Sequence, residues 1–345
     1  MKNYGLNLEL EKQAQDGSEW LFSGFSQPCI ASINEQEREK YLPIGEIQIG
    51  KEDMKDCASR GPLNILEAKF SYLLQNKKLL ATNEEWLREK GYVEEERVNF
   101  SDAFIAIKSN TTKSGNSLKA PLQAIENHGL IPKKLLPLTS EMNWEDYHNP
   151  NRITQNMIDL GQEFRDHFKI NYEKVLEQFY PELLKDDFLN VGGYAWPSPT
   201  NGEYPRIINV PNHVWVNFKN RYYAFDNYRD SFDGDFIKKL APNYDFYEYG
   251  YRVFISKEVN VAEQVSLLVK MLRLLSNFLN NFVKEQKTEP IVPTPTVEVE
   301  TPPSPVQPLT EPKISLLLEW AAAIRDYEGK PGDLSYRNNN PGNLK

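Results

Sequence analysis

Between Thr288 and Pro312 the chain reads TEPIVPTPTVEVETPPSPVQPLTEP, and eight of its 23 prolines fall there. Proline fixes φ and removes a backbone donor, so neither a helix nor a sheet interior can be built from this stretch. It reads as an extended, acidic, disordered linker over 288–313. A linker needs something on each side. Beyond it only residues 314–345 remain, too few to bury a core unaided. Before it, a helix over 262–284 places Val265, Leu268, Leu272, Leu275, Leu279 and Phe282 at alternating spacings of three and four, a heptad seam. That seam either docks on the preceding domain or mediates self-association. The expected organisation is a main domain over 1–260, an amphipathic helix over 261–287, the linker, and a C-terminal fragment over 314–345.

The formal net charge of -9 and a pI near 5.2 give no bulk electrostatic grip on nucleic acid. No uncharged apolar run reaches the ~18 residues a membrane span needs. The opening MKNYGLNLELEKQ shows no apolar signal-peptide region, which points to cytoplasmic synthesis and leaves the final location open. Only Cys29 and Cys57 occur, which excludes a disulfide-stapled scaffold and a Cys-only zinc site. There is no His-Glu-x-x-His or Cys-x-x-Cys spacing. DSFDGDF over 230–236 lacks the closing bidentate Glu of a calcium loop. No metal or cofactor is expected.

The main body changes character partway. Residues 57–185 carry mostly helix-type spacing, as in LNILEAKFSYLLQ and ITQNMIDLGQEFRDHF. Residues 188–256 read as strands and turns, as in HVWVNF, RYYAFDNY and YRVFIS. Helices followed by strands indicate an α+β fold.

Three of the four histidines have structural readings: His128 at a helix C-terminus, His148 in a polar loop and His167 among charges on a helix. His213 opens a strand. If Lys219-Asn220 form a two-residue turn, cross-strand partners sum to 439 and His213 lies opposite Asp226; a three-residue turn would bring Asn227 there instead. Asn220 tolerates the positive φ of such a turn. A carboxylate or amide beside an imidazole orients it, although a structural His–Asp pair would have the same pattern. Cys57 lies just before a strongly patterned helix, where the positive end of the dipole favours thiolate. Its bland alternative is a buried small hydrophobe. Cys29 has no such context and reads as structural.

In this order, with Cys57 opening the first long helix, His213 on a strand and Asp226-Asn227-Tyr228 on the next, residues 40–256 resemble the papain-like cysteine peptidases. Glu67 ten residues into the helix, the GLIP stretch at 129–132 and NHVWVNFKNRYYAFDNY carry the resemblance. It implies a two-lobed fold, with a central helix after Cys57 in a helical lobe and an antiparallel, barrel-like β lobe. It also implies roles: Cys57 as nucleophile, His213 as base and acid, Asp226 as orienter. Three departures stand out. The oxyanion-hole glutamine is expected about six residues before the cysteine, where this chain has Lys51; Gln48 would serve if the loop is longer. Asp56, Ala58 and Ser59 replace the glycine and aromatic residues usual around the cysteine. Gly61-Pro62 falls in the helix's first turns, where it is expected to delay the helix start.

The tail AAAIRDYEGKPGDLSYRNNNPGNLK resembles the opening of lysozyme-like or transglycosylase domains, with Glu328 in the place of the general acid. Its glycan-binding part is not in the sequence. Together the two resemblances imply a protease acting on protein or peptide substrates, tied through the linker to peptidoglycan chemistry, in a phage-type or bacterial cell-wall setting or a virion. The alternatives are a peptidoglycan stem-peptide hydrolase and an inactive papain-like binding or virion-structural module. Tyr194, Trp196 and Trp215 are expected near the site, where they would favour stacking or large apolar side chains.

Overall fold

The structure, a computed structural model, describes residues 4–15, 21–22, 29–206, 209–229 and 234–256. By its contacts the chain divides into Met1–Lys257 and Glu258–Lys345. The helix over 262–284, the linker, the tail with Glu328 and most of the 230–236 turn lie outside the described residues.

The helices run in chain order as α1 (Leu8–Ala14), α2 (Arg38–Tyr41), α3 (Cys57–Gln75), α4 (Ala81–Lys90), α5 (Asp102–Lys108), α6 (Lys119–His128), α7 (Trp144–Tyr147), α8 (Gln155–His167) and α9 (Tyr180–Asp186). A two-stranded hairpin, β1 (Val93–Glu94) and β2 (Arg97–Val98), interrupts them. The second half builds β3 (Ile170–Leu176), β4 (Leu189–Gly193), β5 (Glu203–Tyr204), β6 (His213–Lys219), β7 (Tyr223–Phe225), β8 (Ile237–Leu240) and β9 (Phe246–Ile255). These seven form one sheet in the order β3-β9-β4-β6-β7-β8-β5, antiparallel except for the β5–β8 pair.

The fold is α+β, with a helical lobe and a sheet lobe. Among the described residues the sheet is open and does not close into a barrel. The long β9 pairs with both β3 and β4, which leaves β3 as an outer strand. At the other end β5 is only two residues long and has no length to close onto it. Residues 170–176, inside the stretch that reads as helical, form the outer strand β3, because all seven find partners along β9.

Every residue of α3 from Cys57 to Leu74 is buried. A helix buried all round cannot present a polar stripe to water, so each polar side chain must be met by a neighbour. Asn64 donates to Asn227, Glu67 accepts from the Phe100 N–H, and Ser71 accepts from the Val98 N–H. Lys69 pairs with Asp187 at 2.6 Å and donates to the Val253 carbonyl on β9. Asp187 also receives Arg252 of β9 at 2.7 Å. The helix is thereby tied to both lobes.

Gly61-Pro62 does not delay the helix, which starts at Cys57. Pro62 removes only the bond to the Ala58 carbonyl four residues back. Gly61 is there because of the sheet: a Cβ at this position would lie 2.1 Å from Asn190 Oδ1 on β4 and 3.1 Å from Val214 Cγ1 on β6. The first turns of α3 therefore sit directly on the strand that carries His213. Gly61→Ala is expected to destabilise the fold by about 1–3 kcal/mol through overpacking, read as a lower urea midpoint with an unchanged m-value.

Candidate active site

His213, at the start of β6, is fully buried, as is Asp226 just past β7. His213 Nε2 lies 2.6 Å from Asp226 Oδ1. The other carboxylate oxygen accepts from the Trp196 indole N–H at 2.6 Å and stands 3.3 Å from Lys238 Nζ, while the Asn227 N–H donates to Oδ1 at 2.7 Å. Burial pushes the Asp226 carboxyl up, but the charges of His213 and Lys238 and these hydrogen bonds outweigh it and hold the pKa at about 2. An ionised Asp226 can only accept, so Nε2 carries the proton toward it. The other ring nitrogen, Nδ1, is a buried atom with no hydrogen-bond partner in this arrangement.

The hairpin register differs from the simple two-residue turn. Val216 faces Phe225 and Asn217 faces Ala224, pairs that sum to 441, with an irregularity before Lys219–Tyr223. The shift from 439 is two residues. Side chains alternate faces with a period of two, so Asp226 stays on the His213 face and reaches it diagonally. Asn220 adopts the positive φ, at 44°, and its side chain accepts from the Tyr222 N–H. Asn227 does not take the orienting place.

Cys57 is the first residue of α3 and is 1% exposed. Burial pushes its thiol well above the ordinary value; a backbone hydrogen bond from Val214 opposes this, and Asp56, Asp53 and Asp226 add to it. Val214 directly follows His213, so the sulfur lies beside the strand that carries the imidazole. The preceding Asp56 is clamped by Arg60, with both carboxylate oxygens 2.9 Å from Nε, and by the Tyr147 hydroxyl at 2.6 Å. That clamp fixes the backbone on which the thiol is mounted.

Gln48 is buried, and its amide nitrogen faces three acceptors: Tyr228 Oη at 2.6 Å, Asp53 Oδ1 at 3.0 Å and the Tyr4 carbonyl at 3.3 Å. The Tyr228 hydroxyl donates to Asp53 Oδ2 at 2.5 Å, which closes a small ring of hydrogen bonds. Lys51 is not in this ring; its N–H goes to the Met142 carbonyl. Asp226-Asn227-Tyr228 therefore organises the site residue by residue. Asp226 takes the imidazole, Asn227 ties α3 through Asn64 and holds the Gln48 N–H with its carbonyl, and Tyr228 takes the Gln48 side chain.

Sequence reasoning brought forward Cys57, His213, Asp226 and Gln48. It missed the contacts of Lys238 and Tyr4, which come from other segments, and gave no role to Asp53 or to Tyr228, although both lie within a few residues of Cys57 and Asp226. Trp196 was expected as a stacking platform, yet its N–H is spent on Asp226, and Trp215 is a core residue donating to Asn217. Cys29 lies elsewhere, against Arg252, and is a free thiol. His148 stacks on Trp144 at 4.2 Å and His167 on Trp86 at 4.3 Å, both as structural residues. A hollow of about 310 Å³ beside α6, α8 and β3 shares no residue with the site.

No family model matches the chain, and no curated protein matches it. Among solved structures, it is similar to the proform of the Amb a 11 cysteine protease, a ragweed pollen allergen, at 13% identity and a TM-score of 0.43, over 75% of this chain and 77% of that one. Procathepsin B S9 from Trypanosoma congolense is similar at 11% identity and a TM-score of 0.43, over 70% of this chain and 85% of that one.

The depressed pKa of Asp226 sets a pH window. Its contribution to stability is complete above the unfolded value of about 3.9 and is lost as pH falls through the folded value of about 2. Asp226→Asn leaves Lys238 facing a neutral amide and is expected to cost about 3–5 kcal/mol near neutrality. Urea unfolding of both proteins checks this: the gap should be full at pH 6 and narrow steadily below about pH 4.

Proposed function

We propose that the chain is a cysteine-type peptidase with a papain-like arrangement, in which Cys57 is the nucleophile, His213 the base and acid, Asp226 the orienter and Gln48 a donor to the oxyanion. The observation that carries the reading is the pairing of His213 Nε2 with an ionised Asp226, which leaves Nδ1 as the free base on the strand packed against Cys57. The helix N-terminus at Cys57 adds a positive field and an N–H without an intrahelical partner.

In the proposed reaction Nδ1 takes the thiol proton and the sulfur attacks the peptide carbonyl. The oxyanion is met by the Gln48 amide and the Cys57 N–H. Nδ1 then gives its proton to the leaving amine, and water, deprotonated by the same nitrogen, hydrolyses the thioester. Asp226 stays ionised throughout, because Trp196, Lys238 and Asn227 satisfy it independently of the imidazole.

One observation favours a second reading, an inactive scaffold. Nδ1 has no partner in this arrangement, and burial holds the thiol in its neutral form. The proposed cell-wall or virion setting is supported only by the sequence of the tail, and a purified peptidoglycan substrate would test the stem-peptide alternative beside it.

Iodoacetamide labelling of the folded chain from pH 4 to 9, read by peptide mapping, separates the two readings. A peptidase should label at Cys57 below the free thiol pKa of about 8.5, and His213→Ala should remove that advantage. Against quenched-fluorescent peptides, Cys57→Ala should abolish turnover and Gln48→Ala should lower kcat about 10²–10³-fold. Turnover surviving in Cys57→Ala sinks the assignment.

A further inference from the structure

The Gln48 side chain is held by two segments that meet at the site. Its amide nitrogen lies 2.6 Å from Tyr228 Oη, 3.0 Å from Asp53 Oδ1 and 3.3 Å from the Tyr4 carbonyl. Three acceptors around one atom identify it as the nitrogen; turned over, the amide would set its oxygen against a carboxylate and a carbonyl. Two hydrogens serve these three. Tyr228 and Asp53 act together, because the phenol donates to Asp53 Oδ2 at 2.5 Å and is thereby made a better acceptor for the amide. The Tyr4 carbonyl is the longest contact of the three. Gln48 Oε1 is buried with no hydrogen-bond partner in this arrangement, so the nitrogen side decides how the amide is turned.

Both members of the pair are kept in the form this requires. Burial pushes the Asp53 carboxyl up, but hydrogen bonds from Tyr228, the Lys55 N–H and Gln48, with the charge of Lys55, outweigh it and leave the group below the ordinary carboxylate value. Burial, and after it the Asp53 charge, pushes the Tyr228 phenol up, so it stays a donor. Lys55 Nζ stands 3.1 Å from Asp53 Oδ2 and offsets the negative charge that the pair would otherwise bring near an oxyanion. The backbone is fixed on both sides. The Met54 N–H donates to the Gln48 carbonyl at 3.0 Å, which closes the turn carrying Gln48 and Asp53. The Gln48 N–H donates to the Asn227 carbonyl at 3.2 Å, and the Asn227 side chain donates to the Glu46 carbonyl at 3.0 Å, which seats Tyr228 against that turn.

We propose that Tyr228 and Asp53 are positioning residues for the oxyanion donor: they occupy one N–H of Gln48 and so aim the other at the oxyanion before the substrate carbonyl is attacked. The inference rests on the peptidase reading above. An amide free to rotate about its last bond has to be ordered as charge develops, whereas one already held does not. Neither residue exchanges a proton with the substrate. The Tyr228 ring also meets the His213 ring edge-on, with centroids 5.1 Å apart, so a test has to separate an effect through Gln48 from one through the imidazole.

The test measures kcat and KM on quenched-fluorescent peptides, and the rate of Cys57 alkylation by iodoacetamide, for the wild type, Tyr228→Phe, Asp53→Asn, Gln48→Ala and the two double variants that combine Gln48→Ala with each of the others. Tyr228→Phe keeps the ring and removes only the hydroxyl. Asp53→Asn keeps the shape and removes the charge from the other segment, so a folding failure in one variant leaves the second. Each single change should lower kcat about tenfold with KM little altered, a smaller loss than that of Gln48→Ala. Neither should lower kcat further once Gln48 is alanine, because both act through it. Alkylation forms no oxyanion, so Tyr228→Phe should label at the wild-type rate. Asp53→Asn should label no more slowly, since the Asp53 charge opposes the thiolate. An unchanged kcat, a loss confined to KM, costs that add to that of Gln48→Ala, or slowed alkylation overturns this proposal and leaves the peptidase reading standing. A wild type that hydrolyses no peptide overturns both.

Discussion

A helix buried on every side is the constraint from which this architecture follows. Because α3 has no face for solvent, four of its polar residues are directed at different neighbours: Asn64 at the residue beside Asp226, Glu67 and Ser71 at the backbone entering α5 and at β2, Lys69 at the Asp187–Arg252 pair. Removing one partner of such a buried contact costs far more than the contact contributes net. The helix therefore has one acceptable rotation and depth. That seat, made possible by Gly61 against Asn190 and Val214, fixes where Cys57 stands relative to the His213 strand.

The electrostatics around the thiol pull in two directions. The helix terminus favours thiolate, yet Asp53, Asp56 and Asp226 lie near enough to oppose it, and burial opposes it most. The acids are themselves occupied. Asp56 is held by Arg60 and Tyr147, Asp53 by Tyr228, Gln48 and Lys55, and Asp226 by His213, Trp196 and Lys238. Each carboxylate thus has a structural task, whereas Nδ1 of His213 has no hydrogen-bond partner. In this arrangement burial keeps the Cys57 thiol in its neutral form.

The parts of the site legible in the sequence were those with local signatures. A cysteine before a patterned helix and a histidine opening a strand are visible because helix and strand periods are local. The Asp226 pairing was legible in its face but not in its register: a longer connection pairs Lys219 with Tyr223, an irregularity between Asn217 and Lys219 takes one residue back, and the net shift of two is announced by no residue in the turn. Gln48 emerged only by allowing the loop before Cys57 to be longer than usual. Lys238 and Trp196 were not legible in these roles, because each meets Asp226 from another segment of the sheet lobe; Tyr228 and Asp53 lie close in sequence to Asp226 and Cys57, but their contact with each other at Gln48 joins two distant parts of the chain. The open sheet was missed for a related reason. Closure depends on how ten-residue β9 distributes its pairing between β3 and β4, and alternating hydrophobicity says nothing about that. The strand over 170–176 was hidden because INYEKVL alternates too weakly to be told from an amphipathic helix.

The shift of two in the β6–β7 register also bears on descent. Adding or removing two residues at the turn near Asn220 moves Asp226 along the sheet but leaves it on the imidazole's side. Adding or removing one turns its side chain to the opposite side and separates the pair at a stroke. Among chains that keep this site, the hairpin length should therefore change in even steps, and an odd step should appear only with a second odd change, such as a bulge, that restores the face.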